Sequence, residues 1–497
     1  MGIELAGSSL LLGGCSGVFP KSVLQVPADP LVIEVDRVAT ARSDARAPQP
    51  RQDPQPASTG WGEGDGRSYV VPAFDILTFQ LLLNQFNRYT TSEGDYDSDF
   101  DSIRRNLKHN WVIDRDPFAV NQFLHPYQGA TYHAFARSAG LGYWESLIYD
   151  CVGSAIWEVA GEVVPPSLND QITTTIGGSY LGEALYRTAS VLLGGGSGRP
   201  GFFAEAGAAA ISPAMGFNRL AFGDRFDAVE STRGAPVYGR IGIGARHNSR
   251  QTDLGILADL TDNSFEANFA IDYGVPGKVG YDHERPFDYF HFEGTGTSSA
   301  SALPENLLVT GLLGGVDYEA GDWRGVVGAF GTYDYLAPEV FSLSSTALQL
   351  GTVGQLAATP DVAVQGIALA GVGWGAGGAI ADADVDRNYH YGLCPQGQVG
   401  FVVIGGTRVR LEATGNVYYL DGTGTAARAG YELVTRARVA LAFRIYDRHA
   451  LTIQYVASTR DARYDNPLIA DTQQEVGAIS LYYTLLGGPG PGLGRSE

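Results

Sequence analysis

The C-terminal half of the chain alternates apolar and polar or small residues over long stretches. Segments such as “VYGRIGIGAR”, “FEANFAIDYG” and “TRVRLEATGNVYYL” repeat this period of two, and turn signals such as “GDW”, “IGGT” and “YDRHA” separate them. Successive side chains of a strand point to opposite faces, and a tilted strand crosses a bilayer in about ten residues. The pattern therefore predicts roughly a dozen long antiparallel strands.

A sheet of this kind can lie in lipid only if it closes, because closure leaves no backbone group without a partner. We therefore predict a mainly β protein, an outer-membrane-type antiparallel β-barrel over residues 236–487 with a tail at 488–497. The last strand, “VGAISLYYTLL”, is typical of a barrel-insertion signal, although “GGPGPGLGRSE” follows it. A soluble periplasmic β-structure is the alternative fold.

Before the strands, residues 67–200 follow a helical period. Apolar residues stand three and four apart in “FDILTFQLLLNQF”, “YWESLIYDCVGSAIW” and “SYLGEALYRTASVLL”, which predicts a helical module. Residues 201–235 are short and mixed in pattern and are predicted to be a connector. No stretch of eighteen uncharged apolar residues occurs, so no conventional transmembrane helix is predicted.

The N-terminal residues suggest export. Residues 1–20 contain “SSLLLGGCSG”, which has the form of a lipoprotein box ending at Cys15, but Glu4 stands where a basic residue is expected. The alternative is an altered secretory signal. Residues 21–66 are rich in Pro, Ser, Asp and Arg and predict a disordered linker. Together these features predict a bacterial cell-envelope protein of the outer membrane, in contact with its lipid.

Charge and small motifs exclude several functions. The chain has 34 basic and 54 acidic residues, a net charge of −20, so no nucleic-acid partner is expected. Three cysteines, Cys15, Cys151 and Cys394, are too few for a disulfide framework, and we expect Cys151 to be a small buried side chain. The glycines of “GVGWGAGGAI” precede no helix, so no dinucleotide cofactor is predicted.

One part of the helical region resembles a known family. Its motifs include His-Pro-Tyr-x-Gly, Trp-Glu-Ser and Gly-Glu-x-x-Tyr-Arg, and in this order they resemble domain of unknown function 3943, a bacterial envelope family for which no reaction is established. In this chain they stand at Asn121-Gln122, His125-Pro126-Tyr127-Gln128-Gly129, Ala136-Arg137-Ser138, Trp144-Glu145-Ser146, Trp157-Glu158, Gly161-Glu162, Pro166-Ser167-Leu168-Asn169-Asp170, Gly182-Glu183, Tyr186-Arg187 and Ser212 to Arg219. The resemblance implies an envelope location and no particular activity.

These motifs place many polar residues in apolar surroundings. Glu158 and Glu162 are four apart, so we expect them on one helix face, where at least one needs a proton or a cation. We expect Asn169 and Asp170 to cap the next helix, and His125 to begin a turn. The predicted polar cluster of the helices comprises His125, Tyr127, Arg137, Glu145, Glu158, Glu162, Asn169, Asp170, Glu183 and Arg187.

Three interpretations of the acids stay open. In the first, Glu158, Glu162 and Glu183 pair with Arg137, Arg187 and barrel arginines such as Arg240. In the second, a catalytic or metal centre forms, although no metal-ligand spacing is present and no metal is predicted. In the third, the residues line a polar conduit or a ligand pocket. The catalytic or metal centre of the second interpretation would be formed by His125, His133, Glu158, Glu162 and Asp170.

Two functions follow as hypotheses. The first is an outer-membrane barrel with a structural or transport role, whose helices plug the lumen or pack at its periplasmic mouth. The alternative is an envelope enzyme acting on lipid or lipopolysaccharide, with His125 and one of Glu158, Glu162 or Asp170 as its acid–base pair. The sequence does not identify the small-molecule or lipid ligand, the oligomeric state or the exact strand number.

Overall fold

The computed structural model describes most of the chain beyond residue 66. The described residues are 67–91, 94–114, 116–194, 200–223, 232–252, 260–278, 280–299, 304–338, 340–379, 389–422, 430–465, 470–488, 490 and 492. The predicted export signal, the lipidation of Cys15 and the predicted linker lie outside these residues.

The helices come first in the chain. Three short π-helical turns, Val120–Leu124, Trp157–Gly161 and Thr173–Gly177, interrupt or join them. The α-helices are α1 (Val70–Thr90), α2 (Phe100–Asn106), α3 (His125–Ser138), α4 (Tyr143–Ile156), α5 (Leu168–Ile172), α6 (Gly178–Leu193), α7 (Phe202–Ile211) and α8 (Pro213–Phe222). We call residues 70–222 the helical module. None of its helices, as far as the structure describes them, has the length and apolar character needed to cross a bilayer.

The strands close into one antiparallel barrel in which each strand pairs with its neighbours in sequence and β1 pairs with β12. The predicted fold class is thereby confirmed. The strands are β1 (Val237–Thr252), β2 (Leu260–Tyr273), β3 (Phe290–Thr297), β4 (Asn306–Ala320), β5 (Trp323–Leu336), β6 (Phe341–Thr359), β7 (Val362–Ala379), β8 (Tyr389–Gly405), β9 (Val409–Asp421), β10 (Gly430–Tyr446), β11 (His449–Tyr464) and β12 (Thr472–Leu486). They contain 8 to 19 residues each.

The two ends of the barrel differ in their connections. At the end where β1 begins and β12 finishes, residues 321–322, 360–361, 406–408 and 447–448 make short turns, and only 274–289 is long. At the opposite end the connections include 253–259, 298–305, 380–388 and 422–429. We call these the short-turn end and the long-connection end.

Alternation divides the barrel wall into a polar inside and an apolar outside. Inside, Arg240 of β1 donates to Glu412 of β9 at 2.9 Å, and Arg410 of β9 donates to Asp272 of β2 at 2.9 Å. Ion pairs between strands this far apart in the sheet can form only across the lumen. The outward residues between them are exposed and apolar, for example Ile241, Phe443, Leu451, Ile453, Ile479 and Leu481.

Among the described residues, inward-facing side chains fill much of the barrel lumen. Connection 274–289 turns Val275 and Tyr289 inward against Leu312 and Phe330. Near the long-connection end, inward residues of seven strands pack against one another across the lumen, among them Phe341, Leu343, Leu420, Val434 and Val476. Between the charged side chains, cavities of about 40 and 80 Å³ remain. Such volumes hold a few water molecules and leave little room for a solute.

The helical module packs against the outer wall of the barrel. The wall residues that it buries, such as Tyr273, Phe290, Tyr333 and Tyr391, alternate with inward-facing residues and therefore point outward. Tyr333 donates to the carbonyl of Gln122, which fixes the module to β5. The prediction that the module plugs the lumen or sits at a periplasmic mouth is wrong, because an outward aromatic covered by a helix has the same sequence pattern as one facing lipid.

Small residues allow the helices to approach one another closely. A Cβ added to Gly129 of α3 would lie 1.8 Å from the carbonyl oxygen of Thr174, and one on Gly178 of α6 would lie 2.7 Å from the Cα of Gly129. The predicted connector is also part of this packing. Its residues form α7 and α8, and Met215 and Ala208 join Tyr186 in a buried cluster.

Candidate functional site

Five charged residues form a compact arginine cluster between α3, α4 and α6. Glu183 accepts from Arg137 Nε at 2.7 Å and from Arg187 Nε at 2.8 Å, and all three side chains are buried. His133 contacts Asp150 through Nδ1 at 2.7 Å and Glu183 through Nε2 at 3.2 Å. Because nitrogen atoms of Arg137, Arg187 and His133 contact the two carboxylate oxygens of Glu183, the negative charge of Glu183 is compensated.

The protonation states in this cluster follow from its partners. Burial alone would raise the pKa of Glu183, but Arg137, His133 and Arg187 hold that pKa well below its ordinary value. Burial alone would lower the pKa of His133, yet the carboxylates of Asp150 and Glu183 outweigh it and raise the pKa to about 9. The cluster therefore contains a glutamate anion between three cations at neutral pH.

The cluster also ties the module to the barrel. Arg187 donates to Asp288 at 3.2 Å and to the carbonyl of Pro286, both in connection 274–289, and its guanidinium lies over the ring of Tyr273. Arg137 lies over the ring of Tyr186. Glu183 thus pairs with the two arginines that the first interpretation names, and this cluster has the geometry of a structural ion-pair network.

A second group, the acid cluster, lies around the ends of α4 and α5. It consists of Glu158, Glu162 and Asp170 with His125, and Glu158, Asp170 and His125 are buried. Glu158 accepts from the backbone N–H of Ser167 at 2.8 Å, and Glu162 accepts from Trp157 Nε1 at 2.9 Å. Asp170 accepts from Asn169 Nδ2 at 2.9 Å.

The acids in this cluster favour their protonated forms. Burial, reinforced by Asp170 and Glu162, raises the pKa of Glu158 well above its ordinary value. Burial likewise raises the pKa of Glu162 to about 7, with His125 acting against it, and raises the pKa of Asp170 far above normal. Burial lowers the pKa of His125. At neutral pH the cluster therefore carries fewer charges than its composition suggests.

Here the first interpretation fails. Among the described residues neither Glu158 nor Glu162 contacts an arginine, and Arg240 pairs inside the lumen with Glu412 and Asp272. The wall of the barrel separates the inward Arg240 from the helical module. Sequence spacing cannot show this separation.

Local geometry around the acid cluster also differs from the helical expectation. Residues Trp157–Gly161 form a π-helical turn that ends before Glu162, whose backbone is extended, so Glu158 and Glu162 do not share an α-helical face. Ser167, and not Asn169 or Asp170, caps α5 by accepting from the N–H of Asp170. His125 is the first residue of α3 and begins no turn. All three π-helical turns adjoin this cluster, and such turns often occur at functional sites.

Two barrel tyrosines, absent from the predicted cluster, hold the acid cluster against the wall. Tyr391 accepts from Asn169 Nδ2 at 2.8 Å and from Gln122 Nε2 at 3.1 Å, and Tyr389 donates to the carbonyl of Asp116 at 2.7 Å. Both tyrosines begin β8 and face outward. The alternating aromatics of “YHYGL” were the only signal for them in the sequence.

The remaining predicted residues lie apart from both clusters. Glu145 accepts from the N–H of Gly142 at 2.9 Å and pairs with Arg67 near the surface. Tyr127 is partly exposed and stacks on Phe123. Cys151 is exposed, so the expectation of a buried cysteine is wrong, because its side chain lies on the outer face of α4.

The second interpretation requires His125 and His133 in one centre, and the structure places them in different clusters. His125 Nδ1 lies 3.4 Å from Thr174 Oγ1. Within the described residues no group of three or more His, Cys, Asp and Glu side chains has a geometry that could hold a metal ion. An acid–base pair must also be open to substrate, and His125 is only 6% exposed. The catalytic roles of His125, Glu158, Glu162 and Asp170 stay predictions.

The raised pKa of Glu158 gives a pH-dependent prediction. A carboxyl that keeps its proton only in the folded state stabilises the fold at low pH, and this stability is lost as pH rises from the unfolded pKa towards the folded one. Glu158→Gln cannot ionise, so we expect its unfolding free energy to rise relative to wild type as pH increases from 5 to 8, with a slope of at most about 1.4 kcal/mol per pH unit. Denaturant titrations in detergent micelles at both pH values measure this gain.

A matched control is Glu319→Gln near the end of β4, where the side chain is 70% exposed. This variant should keep the pH dependence of the wild type. The same pH dependence in Glu158→Gln as in wild type would contradict a protonated Glu158.

Comparisons with known proteins agree with the resemblance seen in the motifs. Residues 110–214 match the family model described as Domain of unknown function (DUF3943), which confirms that resemblance. No curated protein matches the chain.

Solved outer-membrane barrels are similar in fold. The NanC porin has 9% identity over 48% of this chain and 98% of its own, with a TM-score of 0.23. The outer membrane channel DcaP of Acinetobacter baumannii has 11% identity over 50% of this chain and 97% of its own, with a TM-score of 0.20. The translocator domain of the autotransporter NalP from Neisseria meningitidis has 14% identity over 50% and 88%, with a TM-score of 0.21. The closed strand order itself establishes the barrel.

Proposed function

We propose that this protein is an outer-membrane β-barrel that binds membrane lipid at its outer wall, through a helical module lying in the bilayer beside the barrel. The observation that carries this proposal is the position of the module on the outward face of the strands. A barrel of this kind acts at its outer wall, whereas a diffusion porin passes solutes through its lumen.

The outer wall supports a location in lipid. Where the module does not cover it, the wall presents a continuous set of exposed apolar side chains on β8 to β12 and β1, including Val399, Phe401, Val417, Leu441, Phe443, Ile453 and Leu481. In water such a surface would be an aggregation site, whereas in a bilayer it is the expected lipid contact.

The far side of the module is apolar as well. On α4, Trp144, Ile148, Val152 and Ile156 follow one another at intervals of four and are 55%, 62%, 52% and 36% exposed. On α1, Phe74, Leu77 and Leu81 are also exposed. Residues four apart lie on one helix face, so these side chains form stripes that point away from the barrel. A module covering a lipid-facing wall must itself face lipid, which explains these stripes.

The filled lumen supports a role at the wall. The described inward side chains leave cavities of about 40 and 80 Å³, and arginine–carboxylate pairs cross the lumen between them. Breaking such buried pairs to open a channel would cost several kcal/mol per pair. A transport role through an open pore therefore has little support.

The connections suggest the orientation of the barrel. Bacterial barrels have short turns on the periplasmic side and longer loops outside the cell. By this rule the short-turn end faces the periplasm.

Trp144 provides a test of the module's position. In vesicles of phosphatidylcholine that carry dibrominated acyl chains, we expect strong quenching of Trp fluorescence in wild type and clearly less quenching in Trp144→Phe. The reason is that Trp144 is exposed on the outer face of α4, where bromine atoms would collide with it. The measurement is the difference in quenching between the two proteins.

The matched control is Trp157→Phe, because Trp157 is buried and shielded from lipid. Trp157→Phe should leave quenching by brominated lipid unchanged. Quenching of Trp144 by aqueous acrylamide, with none by brominated lipid, would contradict a module in the bilayer. Release of the protein from membranes without detergent would contradict the membrane location itself.

A further inference from the structure

An apolar groove of about 1020 Å³ separates the helical module from part of the barrel wall. Its helical side includes Leu181, Leu185 and Leu192 on one face of α6. Its wall side consists of outward residues of β2 and β3, such as Ala267, Phe269 and Phe292. The volume is at the upper end of the range for ligand sites, so the groove is large enough for a chain-like apolar molecule.

The groove is continuous with the lipid-facing wall. Ile241 of β1 and Leu485 of β12 line it and are also exposed on the outer surface of the barrel. Under the proposed function this surface contacts acyl chains, and a chain could enter the groove from the side without leaving the apolar layer. On this route no methylene is exposed to water, which would cost about 0.8 kcal/mol for each.

A cation stands at the short-turn end of the same groove. Arg448, in the turn between β10 and β11, lines the groove and donates through Nε to the carbonyl of Leu486 and through Nη2 to that of Gly487, both at 2.9 Å. These bonds hold the guanidinium in place and leave other N–H groups free to bind. In the described part of the chain no carboxylate pairs with Arg448. A guanidinium in this position suits a phosphate group.

We propose that the groove between α6 and strands β12, β1, β2 and β3 binds a phospholipid, with an acyl chain between the module and the wall and the phosphate at Arg448. This inference rests on the proposed function and adds the ligand class and the site. An apolar groove with a cation at one end matches an amphiphile with an anionic head group. Under the proposed function, molecules of that class already contact the neighbouring outer wall.

Photo-crosslinking tests the site. The full chain is reconstituted in dioleoyl phosphatidylcholine vesicles that contain a trace of phosphatidylglycerol with a diazirine near the end of one acyl chain. After illumination, mass spectrometry maps the labelled peptides. We expect labelling of α6 and β2–β3 to exceed labelling of the outer wall of β10–β11 by about tenfold, since a bound chain remains in the groove.

Matched variants distinguish the groove from general lipid contact. Ala267→Trp fills the groove from β2 and should abolish the excess labelling, whereas Ala437→Trp makes the same change on the exposed outer wall of β10 and should leave it intact. Arg448→Gln should reduce the excess about tenfold. Arg444→Gln, at the same end of the barrel and also bonded to carbonyls, should not reduce it.

The outcomes separate the two proposals. Even labelling along the whole outer wall, or equal loss in Ala267→Trp and Ala437→Trp, would overturn the groove site and leave the proposed membrane location standing. Labelling that Arg448→Gln does not change would overturn the phosphate contact. No labelling of any outer-wall residue, Phe443 included, would overturn the proposed function itself.

Discussion

Replacing Glu183 by Gln should release the helical module from its native packing and leave the barrel closed. Glu183 is fully buried and is the shared partner of Arg137, Arg187 and His133. Glutamine removes the negative charge that the buried Arg137 and Arg187 share, and loss of one partner of a buried ion pair costs about 3–5 kcal/mol. Burial of the pair by itself is weak evidence of net stabilisation, but removal of one member is not tolerated.

Hydrogen exchange in detergent micelles measures this effect directly. The amides of α3 and α6 should open more than about a hundredfold more often in Glu183→Gln than in wild type, because protection reports the free energy of local opening. The amides of β9 to β12 should keep their protection, since the partners of Glu183 named above, Arg137, Arg187 and His133, all lie in α3 and α6. Exchange from α3 and α6 at the wild-type rate would contradict a central role for Glu183.

The control is Glu284→Gln, which removes the carboxylate of the exposed pair between Glu284 and Arg233. Both side chains there are largely in solvent, so screening leaves such a pair worth no more than about 1 kcal/mol. We expect its exchange pattern to match that of wild type throughout the module.

Replacing Gly331 by Val should detach the module from the wall. Gly331 faces outward on β5, and a Cβ at this position would lie 2.4 Å from the ring of Tyr180 on α6. Tyr180 is buried against Phe287 and Tyr333, so its ring has little space to move. Overpacking of this kind costs about 1–3 kcal/mol or more, and here the cost falls on the contact between α6 and the barrel.

The expected result is faster proteolysis within residues 67–222 with unchanged heat-modifiable migration of the barrel. Valine suits a strand, so β5 itself should tolerate the change. Gly415→Val on the outer wall of β9 is the control, because a Cβ there makes only an ordinary contact of 3.7 Å with Val399. Loss of heat-modifiable migration in Gly331→Val alone would contradict this explanation, because the strand and not the module would then need the glycine.

Much of the architecture is encoded in local sequence patterns. The period of two in “TRVRLEATGNVYYL”, residues 407–420, predicts a strand, and β9 does occupy Val409–Asp421. The spacing of three and four in “SYLGEALYRTASVLL” likewise predicts α6. Such patterns are reliable because each depends on neighbours within a few residues of the same chain. The pairing of Glu183 with Arg187 is local in the same sense, since the two are four apart on one helix.

The contacts that define the site depend on distant parts of the chain. Arg187 meets Asp288 and Asn169 meets Tyr391 only after the barrel closes and presents those residues on its outer face. The sequence determined by itself which segments are strands and, apart from α7 and α8, which are helices, together with the apolar stripes and the buried acids. Only the tertiary structure decided that the helices lie outside the barrel and which acids gain arginine partners. The physical reason is that alternation separates the two faces of a strand, whereas only packing decides what covers each face.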